Sequence, residues 1–263
     1  MIFHYLKIAF RNLCKHKTQN IISIIGLAVG LLCFCVCIYC SRFVESTDHC
    51  FANHDRIAEL NLYDGKADRY FSGSPVPLAE DLRTWALGET EAISSVTYPR
   101  ERPYYVELSP EKTLPYELET IEIDTCYNKI FTPEMVAGHW KMASQSLNSV
   151  ILSQSMAIKI FGNAESAIGK HMTLMRRLNT SPESTPKTGG IVYTIQAVMK
   201  DIPLNNSLDF MQNIDMLTVN DSEGLLQSPK RYNMTGANTY VLLSPQTTCT
   251  DLEKQFSKRD YTY

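Results

Sequence analysis

Residues Ile21 to Tyr39 read IISIIGLAVGLLCFCVCIY, nineteen positions without a charge. At 1.5 Å per residue, a helix of that length runs roughly 28 Å, close to the ~30 Å hydrocarbon thickness of a bilayer. A buried core helix this long would carry a polar side. A cleaved signal peptide would have a shorter apolar run, a shorter basic region and a small-residue cleavage site after it. The stretch therefore predicts a membrane-spanning helix over residues 21–40, and it divides the chain in two.

The two parts differ in charge. Residues 1–40 hold Lys7, Arg11, Lys15 and Lys17 and no acid, a charge of +4; the chain of 263 residues totals −3, which leaves −7 for the other 223. Cations ahead of the span, against Arg42, Glu45 and Asp48 after it, place the N-terminus in the cytoplasm by the positive-inside rule. Everything after Tyr39 then lies outside the cytoplasm, so the reading is a single-pass protein of the inner membrane with a periplasmic main domain. Within residues 1–20, Ile2, Leu6, Ala9, Phe10 and Leu13 recur at helical spacing while Lys7, Arg11 and Lys15 take another face. This predicts a cytoplasmic amphipathic helix lying on the lipid bilayer, the alternative being a frayed basic flank.

Five of the eight cysteines, Cys14, Cys33, Cys35, Cys37 and Cys40, fall in the head. Cys33, Cys37 and Cys40 share one helical face, but a metal site in lipid would need thiolates and a completing His or acid, and none lies near. They read as small apolar residues suited to helix packing. Cys50, Cys126 and Cys249 remain outside, an odd number that permits at most one bridge.

Residues 44–263 form the body. A chain with 44% hydrophobic and 20% charged residues can build a real core, which excludes disorder and collagen-like repeats. The small negative net charge offers nucleic acid no basic face. His171–Met175, Ile191–Met199 and Thr239–Leu243 predict strands, and NTSPESTPKTGG from Asn179 to Gly190 predicts a mobile hairpin loop between the first two. Ser74 is expected to cap a helix with Pro75 and Pro77 in its first turn, turning Leu78, Leu82 and Trp85 inward and ending at Gly88. Ser153 or Ser155 opens SMAIKIF, with Met156, Ile160 and Phe161 facing one way and Gly162 stopping it. Thr250 to Glu253 reads as the capping box of a last helix running through Phe256. Strands and helices mix without regular βαβ alternation, so the fold class is α+β.

The motifs of catalysis are missing: there is no G-x-S-x-G, H-E-x-x-H or G-x-G-x-x-G. Gly162 to Lys170 imitates a phosphate loop, but six residues rather than four separate Gly162 and Gly169, and His171 stands where Ser or Thr would hold magnesium. It reads as a helix stop and a turn. His49, Cys50, His54 and Asp55 cluster after the span at spacings that match no common ligand pattern. Glu117, Glu119, Glu122 and Asp124 read as a solvated strand face. No catalytic, cofactor-binding or metal residue is assigned, and the chain is not read as an enzyme.

Several stretches, in order, resemble one family, the MacB/FtsX-like permeases of ABC transporters in the form common in Bacteroidetes. KIAFRNLCKHKTQNIISIIGLAVGL resembles that family's opening. The segment from Phe51 to Ile57 resembles its juxtamembrane F-x-x-x-D-R-I. Phe131 to Gly138, Ser149 to Ala157, Ile160 to Gly162 and Ile168 to Lys170 are similar to the hallmark run of its periplasmic core domain. Tyr193 to Pro203 and Asn238 to Leu243 are similar to its later strands.

The resemblance implies a two-lobed α+β periplasmic domain on a membrane stalk. It also implies that this domain engages substrate, or a periplasmic adaptor, while a cytoplasmic ABC ATPase subunit drives the membrane helices and movement is relayed across the bilayer. Family members follow the periplasmic domain with at least three more spans, whereas this sequence stops at Tyr263. The resemblance thus implies the N-terminal part of a permease: a truncated product, a fragment, or a partner that needs the remaining permease segments from another chain. The alternative is a stand-alone single-pass protein whose ectodomain senses or scaffolds. Phe51 and Arg56, close to the membrane, are read as structural determinants or as functional residues.

Overall fold

The computed structural model describes residues 4, 5, 11, 15, 17–65, 68–85, 88–109, 112–174, 190–208, 213–219, 225–227 and 235–256. The chain forms two compact units, Met1–Thr47 and Asp48–Tyr263.

In the first unit, α1 spans Lys17–Glu45 and none of its residues is buried. It extends beyond the charge-free run at both ends, because the flanking residues Thr18, Gln19, Asn20, Ser41 and Arg42 are compatible with helix and no proline interrupts them. Arg42 in the last turn faces the negative end of the helix dipole. Mean hydropathy over its most apolar window is 2.9, long and apolar enough to cross a bilayer. Of the amphipathic segment expected over residues 1–20, His4, Tyr5, Arg11, Lys15 and 17–20 are helical, and the others lie outside the described residues.

The second unit is built on strands β1 (Ile57–Leu60), β2 (Leu62–Asp64), β3 (Arg69–Phe71), β4 (Ser74–Pro75), β5 (Thr90–Thr97), β6 (Arg100–Ser109), β7 (Lys112–Ile123), β8 (Met135–Gly138), β9 (Ser149–Ser153), β10 (His171–Leu174), β11 (Ile191–Met199), β12 (Met216–Val219) and β13 (Thr235–Leu243). The helices are α2 (Leu78–Thr84), α3 (Tyr127–Phe131), α4 (Trp140–Gln145), α5 (Gln154–Phe161) and α6 (Cys249–Phe256). Among the described residues, eleven strands join in one mixed sheet in the order β1-β13-β5-β7-β12-β9-β11-β10-β6, with β4 on β13 and β8 on β11. Helices and strands are interspersed, as the α+β reading requires.

The sheet closes on itself at one end. β5 and β6 run almost continuously along β7, with Val96 opposite Ile123 and Arg100 opposite Thr120. β6 then pairs with β10 as well, Met172 lying opposite Val106. The strands β7-β12-β9-β11-β10-β6 therefore form a hydrogen-bonded ring. Tyr104, Val106, Leu118, Val150, Leu152, Met172, Tyr193 and Ile195 fill it, joined by Met156, Ala157 and Ile160 of α5. A second core, with Phe51, Ile121, Ile151, Leu217, Phe131, Tyr240 and Leu242, packs against the other face, and a third under α2 and α6 holds Leu78, Leu82, Val241 and Leu252. The two lobes implied by the resemblance are thus a closed ring and an open sheet sharing β7.

Local signals fare differently. Ser153 caps α5, its hydroxyl accepting from the Met156 amide at 3.4 Å, and Gly162 ends it at φ 87°. Phe161, expected on the buried face, is only half-buried, while Met156 and Ile160 are buried. β10 and β11 are the predicted antiparallel hairpin; its loop lies outside the described residues. Ser74 does not cap α2: it lies with Pro75 in β4 opposite Ala237, its hydroxyl donates to the Ala237 carbonyl at 3.2 Å, and α2 begins only at Leu78, after a turn in which Pro77 is already helical. The capping box of α6 lies two residues earlier than Thr250. Thr248 Oγ1 accepts from the Asp251 amide at 3.3 Å, and an Asp251 carboxylate oxygen accepts from the Thr248 amide at 3.2 Å.

The acidic run on β7 is not one solvated face. Glu117 is exposed, but Glu122 is 3% exposed, paired with Arg102 at 2.7 Å and accepting from the Leu226 amide at 3.4 Å. Burial alone would lower the Arg102 pKa; Glu122, with smaller contributions from Tyr104 and Tyr193, outweighs it, and the guanidinium is held more firmly charged. Asp124 accepts from the Ser94 hydroxyl at 2.7 Å, the Ser95 amide at 3.0 Å and the Cys126 amide at 2.9 Å, and is also paired with Arg83. Single-strand alternation could not show this, since the neighbours that bury Glu122 come from elsewhere in the chain.

Candidate binding cleft

The body carries a cleft of about 490 Å³ lined by residues 49–52 and 54, by 131–134 and by 200–203. Three of the stretches singled out in the sequence meet here: the Phe51–Ile57 segment, the start of the Phe131–Gly138 run, and the end of the Tyr193–Pro203 strand. Each wall has a local cause. Phe51 is 4% exposed and meets Phe131 edge-on at 4.9 Å, which brings the first segment onto α3. Thr132 takes a left-handed conformation (φ 41°) and ends α3, turning the chain toward β8. The Lys200 amide donates to the Glu134 carbonyl at 2.8 Å, and the two side chains pair at 3.1 Å where both are exposed.

Gly138 explains the last residue of its run. Its φ is 71°, and a Cβ there would stand 2.3 Å from the Gln196 carbonyl oxygen, where β11 bulges between Ile195 and Ala197. Arg56 is a tie. It donates to the Leu243 carbonyl at 2.9 Å, to Glu91 at 3.0 Å and to Asn53 at 3.1 Å, joining the turn before β1 to the end of β13. Asn53 in turn donates to the Lys129 carbonyl at 3.2 Å.

Cys50 is exposed, yet partial desolvation first and Asp48 second push its thiol up to about 11, so it is protonated at neutral pH. The His49 and His54 rings lie 4.4 Å apart; His54 Nδ1 faces the Phe51 carbonyl at 3.1 Å and its Nε2 lies 3.2 Å from Asp55. No base and nucleophile are brought within reach of each other among these groups. Among the described residues no cluster of His, Cys, Asp and Glu has the arrangement of a metal site. Cys37-Ile-Tyr-Cys40 has C-x-x-C spacing, but both thiols are free on α1, and Cys50, Cys126 and Cys249 are free as well. Sequence reasoning did not reach Thr132, Glu134, Lys200 or Asp201 as cleft residues; the signal was the family-like runs that contain them.

A family model described as the MacB-like periplasmic core domain matches residues 21–259. Two solved structures share the fold. A domain assigned to a permease protein of Porphyromonas gingivalis is 23% identical with a TM-score of 0.57, the match covering 80% of this chain and 87% of that one. The periplasmic region of MacB from Actinobacillus actinomycetemcomitans is 13% identical with a TM-score of 0.51, covering 82% of this chain and 86% of that one. No curated protein matches the chain.

Proposed function

The chain belongs to the family of MacB-like periplasmic core domains, and from that membership we propose that it is the membrane-anchored periplasmic portion of an ABC transporter permease. It binds substrate or a periplasmic partner through its body and passes movement between bilayer and body, with no catalysis of its own. The observation that carries this reading is the extent of the family match, which begins inside an apolar helix with no buried residue and runs through the whole described sheet. A helix of 29 residues, none of them buried, and with a mean hydropathy of 2.9 over its most apolar window is suited to lipid as solvent. The cleft favours binding over chemistry, since its one thiol is protonated and its ion pair lies in water.

The proposal sets N-terminus in, body out, in the inner membrane. Protease added to spheroplasts is expected to digest the body; full protection of residues 69–263 overturns the orientation. The transporter assignment is tested by affinity purification of the full chain from native membranes. Recovery of a cytoplasmic ABC ATPase and of further permease spans supports it. Reproducible recovery of a non-transporter partner alone favours a stand-alone sensing or scaffolding ectodomain instead.

A further inference from the structure

Asp48 opens the body, and the chain allots it an unusual conformation. It is a non-glycine residue at φ 64°, a left-handed backbone that Asp tolerates better than most residues. Only Ser46 and Thr47 separate it from the end of α1 at Glu45. Two hydrogen bonds hold it: its amide donates to the Asn205 carbonyl at 3.0 Å, and its Oδ1 accepts from the Ser207 amide at 2.7 Å.

The loop it grips is itself anchored in the core. Asn206 is fully buried; its Nδ2 donates to the Pro203 carbonyl at 2.6 Å and its Oδ1 accepts from the Leu208 amide at 2.9 Å. The Ser207 carbonyl accepts from the Tyr240 hydroxyl at 3.2 Å, and Tyr240 is a buried residue of β13. β13 pairs with β1, β4 and β5. The Asp48 carbonyl also accepts from the Phe51 amide at 2.8 Å, which fixes the turn that inserts Phe51 into the core. Within the body, bonds therefore run from the Asp48 amide and carboxylate to the 203–208 loop, and from the Ser207 carbonyl through the Tyr240 phenol to β13.

We propose that Asp48 is a mechanical clasp, the positioning residue through which displacement at the end of the membrane helix is delivered to the 203–208 loop and to β13. The inference rests on the relay reading above and names where the relay enters the body. Asp48 suits the role on two counts: it accepts the left-handed turn, and its carboxylate makes a charge-assisted bond to a backbone amide.

The full chain, reconstituted in phosphatidylcholine bilayers of short and of long acyl chains, tests this, because a span answers a change in bilayer thickness by tilting. Hydrogen exchange at the Ser207 amide is the readout. In the unaltered chain and in Asp48→Asn, which keeps the acceptor oxygen and tolerates the turn, exchange is expected to differ between thin and thick bilayers. In Asp48→Gly, which keeps the turn and the amide bond to Asn205 but loses the carboxylate acceptor, it rises about tenfold and its difference between the two bilayers shrinks. Three Gly/Ser residues inserted between Thr47 and Asp48 leave protection intact and abolish the thickness dependence. An unaltered chain that does not respond, an Asp48→Gly variant whose response is undiminished, or an insertion variant that still responds overturns the clasp. The melting temperature of the body, unchanged in Asp48→Asn, guards against misfolding. Purification of the ATPase with the unaltered chain reports on the permease reading separately, so the clasp can fail while that reading stands.

Discussion

α1 and the ring of β6, β7, β12, β9, β11 and β10 solve the same problem in opposite ways. Every backbone amide must find a partner. The helix satisfies its amides within itself and leaves its side chains bare, so that Leu27 and Leu32 are 73% and 65% exposed. The ring satisfies its amides across strands far apart in sequence and hides Tyr104, Tyr193 and Leu152 completely. One element needs an outside solvent and no neighbours; the other needs neighbours and tolerates water outside. Substitutions in one are therefore expected to leave the other untouched.

The largest effect is expected at the buried ion pair. Arg102→Ala strips Glu122 of its cation in a site that is 3% exposed, and about 3–5 kcal/mol of body stability should be lost in urea unfolding. Its counterpart is Leu31→Arg, which costs about 3 kcal/mol of insertion at the centre of α1. Carbonate extraction should then release the chain while the midpoint of body unfolding stays put; a shift in both would break the comparison. Gly138→Ala comes next, since its φ of 71° and its closeness to Gln196 leave a Cβ no room. Roughly 3 kcal/mol of destabilisation is expected, with the span still inserted.

A smaller effect depends on pH. The Glu59 pKa is raised by burial first and by Asp48 second, against a hydrogen bond with Ser72. A carboxyl raised in the folded state favours folding when protonated, and that contribution fades as pH climbs through the raised value. Glu59→Gln should therefore raise the melting temperature at pH 7, and the gain should vanish at pH values below the usual carboxylate value of 4.5. Smallest is Tyr127→Phe. Its hydroxyl is fully buried, with no hydrogen-bond partner among the described residues, so stability should stay within about 1 kcal/mol and rise if it moves.

Legibility followed the same division. The span could be read because its signal is local, a charge-free run of the right length, and Ser153, Gly162 and the β10–β11 hairpin were equally local. Ser74 misled because a serine before prolines resembles a cap, while its real partner, Ala237, stands 163 positions away. Glu122 looked solvated because alternation along one strand is blind to Arg102 and the 225–227 turn. The cleft was legible only as three runs without a reason to meet; the edge-on contact of Phe51 with Phe131 supplies the reason.

The closed ring also bears on how such bodies live side by side. A domain tethered to a bilayer is confined to a thin layer, where copies collide far more often than in free solution. Unpaired strand edges would there invite stacking into ribbons. Closure gives each of the six ring strands partners on both sides over at least part of its length, and β1, β4 and β8, at margins of the main sheet, offer four, two and four residues. The architecture is in that sense suited to crowding, granting a neighbouring copy little backbone to copy.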